Sequence, residues 1–321
     1  MTSVGPEFRL DALTRRWVAV TGTRQHRPNL PSADACPFCV GGVEADGPYI
    51  VKAFANRWPP LLPGEPLSFA PGQPLEGSAR PARGAAEVVL YTSDHDATFA
   101  NLGLAQARAV VDLWAERTTA LLARPEIEYA LVFENNGAEV GATIGHPHGQ
   151  IYAFPFVPPV PAREAWVARE FGCAICAELA QECERKSRVV ERTGSFIAYT
   201  RYAADWPFEL IIAPAAHLPD IQTLDTAERD DFARILIGVL GRYERLFAQP
   251  LPYMMWIHPG VHLHVHLVTT RRQANVPRYV AAGELGSGVM FNPVAPERAA
   301  EALRAAAPAS DEAKRNGDKR G

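Results

Sequence analysis

One order of elements occurs twice in this chain of 321 residues, and that duplication restricts the fold more than any single motif. In the first copy Cys36-Pro37-Phe38-Cys39 is followed by a segment from Val51 to Pro59 and by the strand-like run Glu87-Val88-Val89-Leu90-Tyr91, which ends near His95. A helix from about Leu104 to Leu122 comes next, then the apolar run Tyr129 to Phe133, then His146-Pro147-His148-Gly149-Gln150. In the second copy Cys173-Ala174-Ile175-Cys176 is followed by Phe196 to Tyr199 and by Phe208 to Ile212, which ends near His217. A helix from about Thr226 to Phe247 follows, then Tyr253 to Pro259, then His262-Leu263-His264-Val265-His266. A matched series of this kind reads as a duplicated unit.

The first histidine block sits between an apolar run with a glycine-relieved loop and the strand-like Ile151 to Phe154. Alternate residues of a strand share a face, so His146, His148 and Gln150 are expected to converge on one patch. A neutral imidazole is a nucleophile near neutral pH, and a carbonyl on its other nitrogen can aim the attacking lone pair. Such a face suits phosphate chemistry, with Gln150 as a donor to a phosphoryl oxygen. A bare His-x-His is also compatible with partly exposed strand histidines.

Four of the five cysteines form two C-x-x-C pairs, and the N-terminus has neither the basic nor the apolar region of an export signal. Metal ligation or redox chemistry is then expected before structural disulfides. The repeat assigns ligands by position: Cys36, Cys39, His95 and His146 in the first half, Cys173, Cys176, His217 and His262 in the second. Thiolate and imidazole donors of this number suit tetrahedral zinc. Cys183 is left over and is expected to be packed. His258, His264 and His266 form a further cluster that suits zinc or iron once a carboxylate joins it. Glu164 is the candidate, with a solvated helix glutamate as the plain alternative.

With 47% apolar residues the chain can bury a substantial core, and a net charge of −4 offers no basic surplus for nucleic acid or an anionic membrane. No apolar run approaches the roughly 20 residues of a spanning helix, so a cytoplasmic protein is expected. Arg24 and Arg27, three apart in an irregular loop, can grip a diphosphate through forked hydrogen bonds or remain solvated. Leu13 to Val20 reads as the first strand, and the Pro- and Gly-rich stretch from Leu61 to Gly84 as an irregular excursion. The helix stripes are Leu104, Ala107, Val111, Trp114, Leu121 and Leu122 in one half, and Phe232, Ile235, Leu236, Val239, Tyr243 and Leu246 in the other. The expected units are residues 1–162, residues 163–307 and a disordered charged tail, 308–321.

Cys36-Pro37-Phe38-Cys39, Thr92-Ser93-Asp94-His95, Phe133-Glu134-Asn135, Gly141-Ala142-Thr143, His146-Pro147-His148-Gly149-Gln150 and Trp206-Pro207-Phe208-Glu209 together resemble the galactose-1-phosphate uridylyltransferase family of the histidine triad superfamily. The resemblance runs from about Leu10 to about Leu303. It implies an α+β fold of two histidine-triad-like halves, each an antiparallel sheet with packed helices, with the nucleophile in the first half. It implies that His148 attacks the α-phosphorus of UDP-glucose, releases glucose 1-phosphate, and passes the uridylyl group to galactose 1-phosphate, a step of galactose metabolism.

The same resemblance assigns Arg24 and Arg27 to the nucleotide phosphates, Asn56 to the uridine, Arg278 and Glu284 to the sugar acceptor, and Asn135 and Thr143 to the substrate pocket beside Gln150. It makes Glu164, His258, His264 and His266 a second metal site for iron or zinc, and it implies a homodimer whose partner subunit helps to complete the active site. Asn136, Arg57, Ala142 and Arg278 depart from residues frequent in the family. Because Cys173, Cys176 and His262 are present together, a second zinc in the C-terminal half is expected as well. A phosphorylase of the same superfamily, using phosphate and an adenine nucleotide sugar, is the rival enzyme. A zinc-stabilised nucleotide-binding module without turnover is the rival from another class.

Overall fold

The computed structural model describes residues 5–22, 31–64, 79–248 and 251–308. Arg24, Arg27, most of the 61–84 excursion and the tail from 309 on lie outside the described residues.

The strands of the first half are β1 (Glu7–Leu10), β2 (Trp17–Val20), β3 (Lys52–Ala55), β4 (Ala79–Pro81) and β5 (Ala85–Leu90), then, after helix α1 (Leu104–Leu122), β6 (Tyr129–Asn136) and β7 (His148–Phe154). Helices α2 (Pro159–Phe171) and α3 (Ala174–Arg185) lead to β8 (Val189–Arg192), β9 (Phe196–Thr200), β10 (Leu210–Pro214) and α4 (Thr226–Phe247). The chain then forms β11 (Tyr253–His258), β12 (His264–Thr269), β13 (Arg271–Gln273), β14 (Val276–Pro277), α5 (Ala282–Ser287) and α6 (Pro296–Ala305).

Nine strands form one antiparallel sheet in the order β3-β5-β7-β6-β11-β12-β10-β9-β8. The halves do not keep separate sheets: β6 and β11 pair edge to edge, with Phe133 opposite Trp256, Val132 opposite Ile257 and Glu134 opposite Met255. Unpaired strand edges invite association, and here each half covers the exposed edge of the other. The boundary expected at 162–163 falls inside α2. We propose that division as one between repeat units.

Both long helices match the sequence expectation residue for residue. α4 starts in a capping box: Asp225 accepts from the Glu228 amide at 2.8 Å and Glu228 accepts from the Asp225 amide at 2.8 Å. Its stripe of Phe232, Ile235, Leu236, Val239 and Tyr243 is buried against the sheet, as are Val110, Val111, Trp114 and Leu121 of α1. Leu104 is instead exposed, because it is the first residue of α1 and its turn projects past the packed stripe. Arg108 ties the helices together by bonding Asp112 at 3.0 Å and Asp230 at 2.5 Å.

The first expected strand is shorter than its apolar pattern suggests. Residues 13–16 form the turn between β1 and β2, where Asp11 accepts from the Leu13 amide and the Thr14 hydroxyl, and Leu13 is exposed.

α1 and α4 cover one face of the sheet, so strand residues alternate between that core and the opposite face, which is open at His148 and covered by α2 and α3 in the second half. Gly149 and Ile151 point to the core, and His148 and Gln150 point away. Gly149 is required by close approach: a methyl group there would stand 2.1 Å from Tyr91 Oη. Nearby, Glu134 is buried beneath the sheet and accepts from Tyr253 Oη at 2.5 Å. Burial pushes its carboxyl from the ordinary 4.5 up to about 7, against the opposing effect of its tyrosine partners.

That shift has a measurable consequence. The folded state retains a proton that the unfolded state releases between about pH 4.5 and 7, so the stability present below the unfolded value falls as pH rises through the folded one. Glu134→Gln cannot ionise and escapes a penalty on the order of 3 kcal/mol. Denaturant unfolding at about pH 5 and about pH 8 should show the variant gaining on the parent at the higher pH, and parallel pH curves would refute the assignment.

Candidate active site and metal centres

The strand β7 starts at His148, one residue after a proline that sets the backbone direction. Its Nδ1 lies 2.8 Å from the carbonyl oxygen of His146. A carbonyl can only accept, so Nδ1 carries the proton and Nε2 keeps its lone pair. Burial lowers the imidazole pKa further, which keeps the ring neutral. The edge of the Phe38 ring packs against it, with centroids 5.1 Å apart.

His148 and Gln150 border two joined compartments. One, of about 60 Å³, is walled by Phe38, Phe54, Asn56 and Val88; the other, of about 280 Å³, by Phe133, Asn135, Gly141 and Tyr152; Thr143 lines both. Asn56 donates to Gln150 Oε1 at 3.3 Å, which leaves the Gln150 amide nitrogen as a donor beside the imidazole. Asn56 is itself fixed, because its oxygen accepts from the Trp58 amide at 2.9 Å. Arg57 turns to Glu44 at 2.8 Å, on the rim of the smaller compartment.

His146 does not share this patch. It precedes the strand, and its ring enters a buried cluster in which Nδ1 is 3.6 Å from Cys39 Sγ while Nε2 meets the Thr92 carbonyl at 2.7 Å. The expected convergence with His148 fails because a loop residue is free of the strand's alternation. His95 Nδ1 is 3.4 Å from the same sulfur, and one donor atom from each of Cys36, Cys39, His95 and His146 lies within 4.8 Å of the others. Since Nε2 of His146 donates to a carbonyl, Nδ1 is left to ligate, the usual outer support of a metal-bound histidine.

The second half repeats this arrangement. His262 donates through Nε2 to the Pro214 carbonyl at 3.0 Å, and its Nδ1 stands 3.5 Å from Cys173 Sγ and 3.4 Å from Cys176 Sγ. His217 Nδ1 is 3.2 Å from Cys176 Sγ. His264 Nδ1 meets the His262 carbonyl at 2.8 Å, as His148 meets that of His146. Beyond it Glu164 of α2 lies 3.1 Å from His258 Nδ1 and 3.7 Å from His264 Nε2. Burial alone would raise that carboxyl, but the two histidines hold it well below the usual range. His266 faces Glu209 through Nδ1 at 3.4 Å while its Nε2 is buried without a partner among the described residues, as a ligating nitrogen would be. Burial pushes its pKa down to about 4.

Among the described residues these three clusters have donor sets that fit a metal ion. Cys183 is exposed on α3 rather than packed, within 3.2 Å of Arg192. Glu209, the partner of His266, belongs to a tetrapeptide already singled out in the sequence, where nothing in the spacing tied it to a histidine 57 residues on.

Arg278 and Glu284 lie elsewhere. They pair with each other, Arg278 sits 4.4 Å over the Trp206 ring, and Glu284 accepts from the amides of Ala281 at 2.9 Å and Phe291 at 3.0 Å. Neither lines the compartments at His148. Around them Tyr279, Leu285, Val289 and Phe291 are exposed.

Family models match both halves: galactose-1-phosphate uridyl transferase, N-terminal domain, over residues 3–158, and the C-terminal domain over residues 166–315. The chain is 36% identical to the galactose-1-phosphate uridylyltransferase of Thermotoga maritima, over 93% of this chain and 98% of that one. A solved uridylyltransferase superposes with a TM-score of 0.82 at 28% identity, covering 94% of this chain and 98% of the other. An ADP-glucose phosphorylase from Arabidopsis thaliana, solved with bound ADP-glucose, superposes with a TM-score of 0.70 at 25% identity over 94% and 98% of the two chains.

Burial pushes the thiols of Cys39 and Cys176 up to about 11, so both carry protons at neutral pH until a cation displaces them. Metal uptake should therefore release protons and weaken on acidification. Elemental analysis after dialysis should find less metal per chain at about pH 5 than at about pH 8. At the higher pH Cys173→Ser should lose one equivalent and keep the rest. A metal content indifferent to both changes would remove the thiols from the ligand sets.

Proposed function

We propose that this chain, which belongs to the galactose-1-phosphate uridylyltransferase family, carries a uridylyl group from UDP-glucose to galactose 1-phosphate on Nε2 of His148. The observation that carries the reading is the 2.8 Å bond from His148 Nδ1 to the His146 carbonyl, which leaves an unprotonated nitrogen in a pocket beside an amide donor.

In the first step the Nε2 lone pair attacks the α-phosphorus, a nitrogen–phosphorus bond forms, and the bond to the glucose 1-phosphate oxygen breaks. The ring gains positive charge as it does so, and the Nδ1–H bond to a carbonyl strengthens with that charge. Gln150 donates to the non-bridging oxygens, where negative charge accumulates. In the second step an oxygen of galactose 1-phosphate displaces the imidazole, which restores the neutral ring.

Asn56 and the walls of Phe38, Phe54 and Val88 form the base end of the pocket, and Asn135 and Thr143 the phosphate end. Arg24 and Arg27 are assigned to the diphosphate. Zinc is proposed for Cys36, Cys39, His95 and His146 and for Cys173, Cys176, His217 and His262, and iron or zinc for Glu164, His258, His264 and His266. Cys36, Cys39, His95 and His146 would hold a cation that ties the C-x-x-C turn to the backbone at His146, whose carbonyl orients His148. Among the described residues no helix is long and apolar enough to cross a membrane, and a cytoplasmic location agrees with five free cysteines. The exposed apolar residues around Arg278 and Glu284 support a homodimer in which this segment reaches the partner's pocket as the sugar contact.

The phosphorylase reading shares the covalent step and differs in its acceptor, and the similarity to the Arabidopsis enzyme is the observation in its favour. A binding module without turnover would leave the Nε2 of His148, open to the pocket beside the Gln150 amide, without a role.

Mass spectrometry of the intact protein after mixing with UDP-glucose should show a uridylyl adduct on His148, discharged by galactose 1-phosphate. His148→Gly should form none and lose turnover by at least about 10³-fold while still binding the nucleotide. Gln150→Ala should slow turnover by about 10²-fold or more. An adduct formed from ADP-glucose and discharged by inorganic phosphate would replace the transferase with the phosphorylase. No adduct from either donor would end the enzymatic reading.

A further inference from the structure

Strand register relates the two halves residue by residue. Across the first half Phe54, Val88, Gln150 and Phe133 stand opposite one another in turn; across the second, Tyr199, Ile211, His266 and Trp256 do so. Phe133 faces Trp256 where the halves meet, so the eight residues form one row that reads alike from either end. The correspondence extends along the strands: His148 answers to His264, Asn56 to Arg201 and Ile144 to Gly260, while Pro37 and Phe38 answer to Ala174 and Ile175 between the cysteines.

The first-half members of this set line the two compartments at His148. Their counterparts Ala174, Ile175, Arg201, Ile211, Gly260 and His264 line a cavity of about 520 Å³ in the second half, roofed by α2. Three of the replacements, proline to alanine, phenylalanine to isoleucine and isoleucine to glycine, are reductions in size. They open one wide chamber where the first half has compartments of about 60 and 280 Å³. The second C-x-x-C cluster holds the Ala174-Ile175 wall, as the first holds Pro37-Phe38.

We propose that this chamber is a second binding pocket, equivalent by duplication to the one at His148, and that it takes a purine nucleoside without turning it over. This identification of the ligand class rests in part on reading the first pocket as a nucleotide site. The wider chamber admits a two-ring base between apolar walls. Arg201, in place of the carboxamide of Asn56, presents guanidinium donors to the acceptor edge of a purine. Apart from Glu164, which is engaged with its histidine cluster, Glu128, Glu178 and Asp220 outnumber Arg163 and Arg201 in the lining, which favours an uncharged nucleoside over its phosphate. His264 cannot repeat the chemistry of His148, because its Nε2 faces Glu164 and the position of Gln150 is taken by His266.

The test is calorimetric titration of the full-length, metal-replete protein with adenosine and inosine in the presence of saturating uridine 5′-monophosphate. Ala168→Trp on the α2 side of the chamber and Ala174→Trp on the opposite wall are the variants. The expected result is binding of one purine nucleoside per chain, unaffected by the uridine nucleotide and weakened about tenfold or more by each tryptophan. Both variants should still form the His148 adduct with UDP-glucose. Absence of binding, displacement by uridine 5′-monophosphate, equal binding of uridine, or undiminished affinity in both variants would overturn the proposal. Purine binding with no adduct on His148 would leave this pocket standing and remove the transferase reading instead.

Discussion

The ladder between β6 and β11 is the constraint on which the rest of the molecule depends. Phe133 opposite Trp256 fixes the register of one half against the other, and the nine strands fall into a single sheet around that pair. A slip of one residue would turn every inward side chain outward, so burial of α1 and α4 on one face also determines which residues reach the other. His148, Gln150, His264 and His266 all lie on the face away from α1 and α4 because Gly149, Ile151, Val265 and Leu267 belong to the core side.

The two halves share a local device and differ in what surrounds it. In each, a histidine bound for a thiol cluster offers its carbonyl to the imidazole two residues later, at 2.8 Å. In the first half the freed nitrogen looks into a pocket beside a neutral amide. In the second it meets a carboxylate and two more imidazoles, an environment suited to a cation. In the proposed reading the change from nucleophile to ligand needs no change of backbone: it comes from histidines in place of Gln150 and Asn135 and from the arrival of Glu164 on α2.

The parts of this arrangement that were legible in the sequence are those written in local pattern. The long helices carry a 3.6-residue stripe, and α4 also carries its cap, so both ends could be placed. The thiol and histidine sets could be assigned from the repeat because equal spacing in two copies replaces missing distance information. The separate facing of His146 and His148 was not legible, since nothing in His-Pro-His marks where the strand begins. The joining of the half-sheets depends on a pairing between residues more than a hundred positions apart, which no local pattern encodes. Glu209 escaped notice for the same reason. Arg278 and Glu284 were named from family likeness, and within one chain they bond each other rather than the pocket at His148.

A continuous ladder through the centre of the sheet also governs how the molecule can move. Enzymes whose substrate lies between two lobes commonly close by bending at a few hinge residues. Here the halves are bonded strand to strand and clamped across α1 and α4 by Arg108, so such bending would tear backbone hydrogen bonds in the core. Access to the pocket at His148 is then left to the periphery, to loops at the rim or to a neighbouring chain. Substrate exchange in the proposed cycle is then left to that rim, because the face that carries His148 and Gln150 is built from the paired strands themselves.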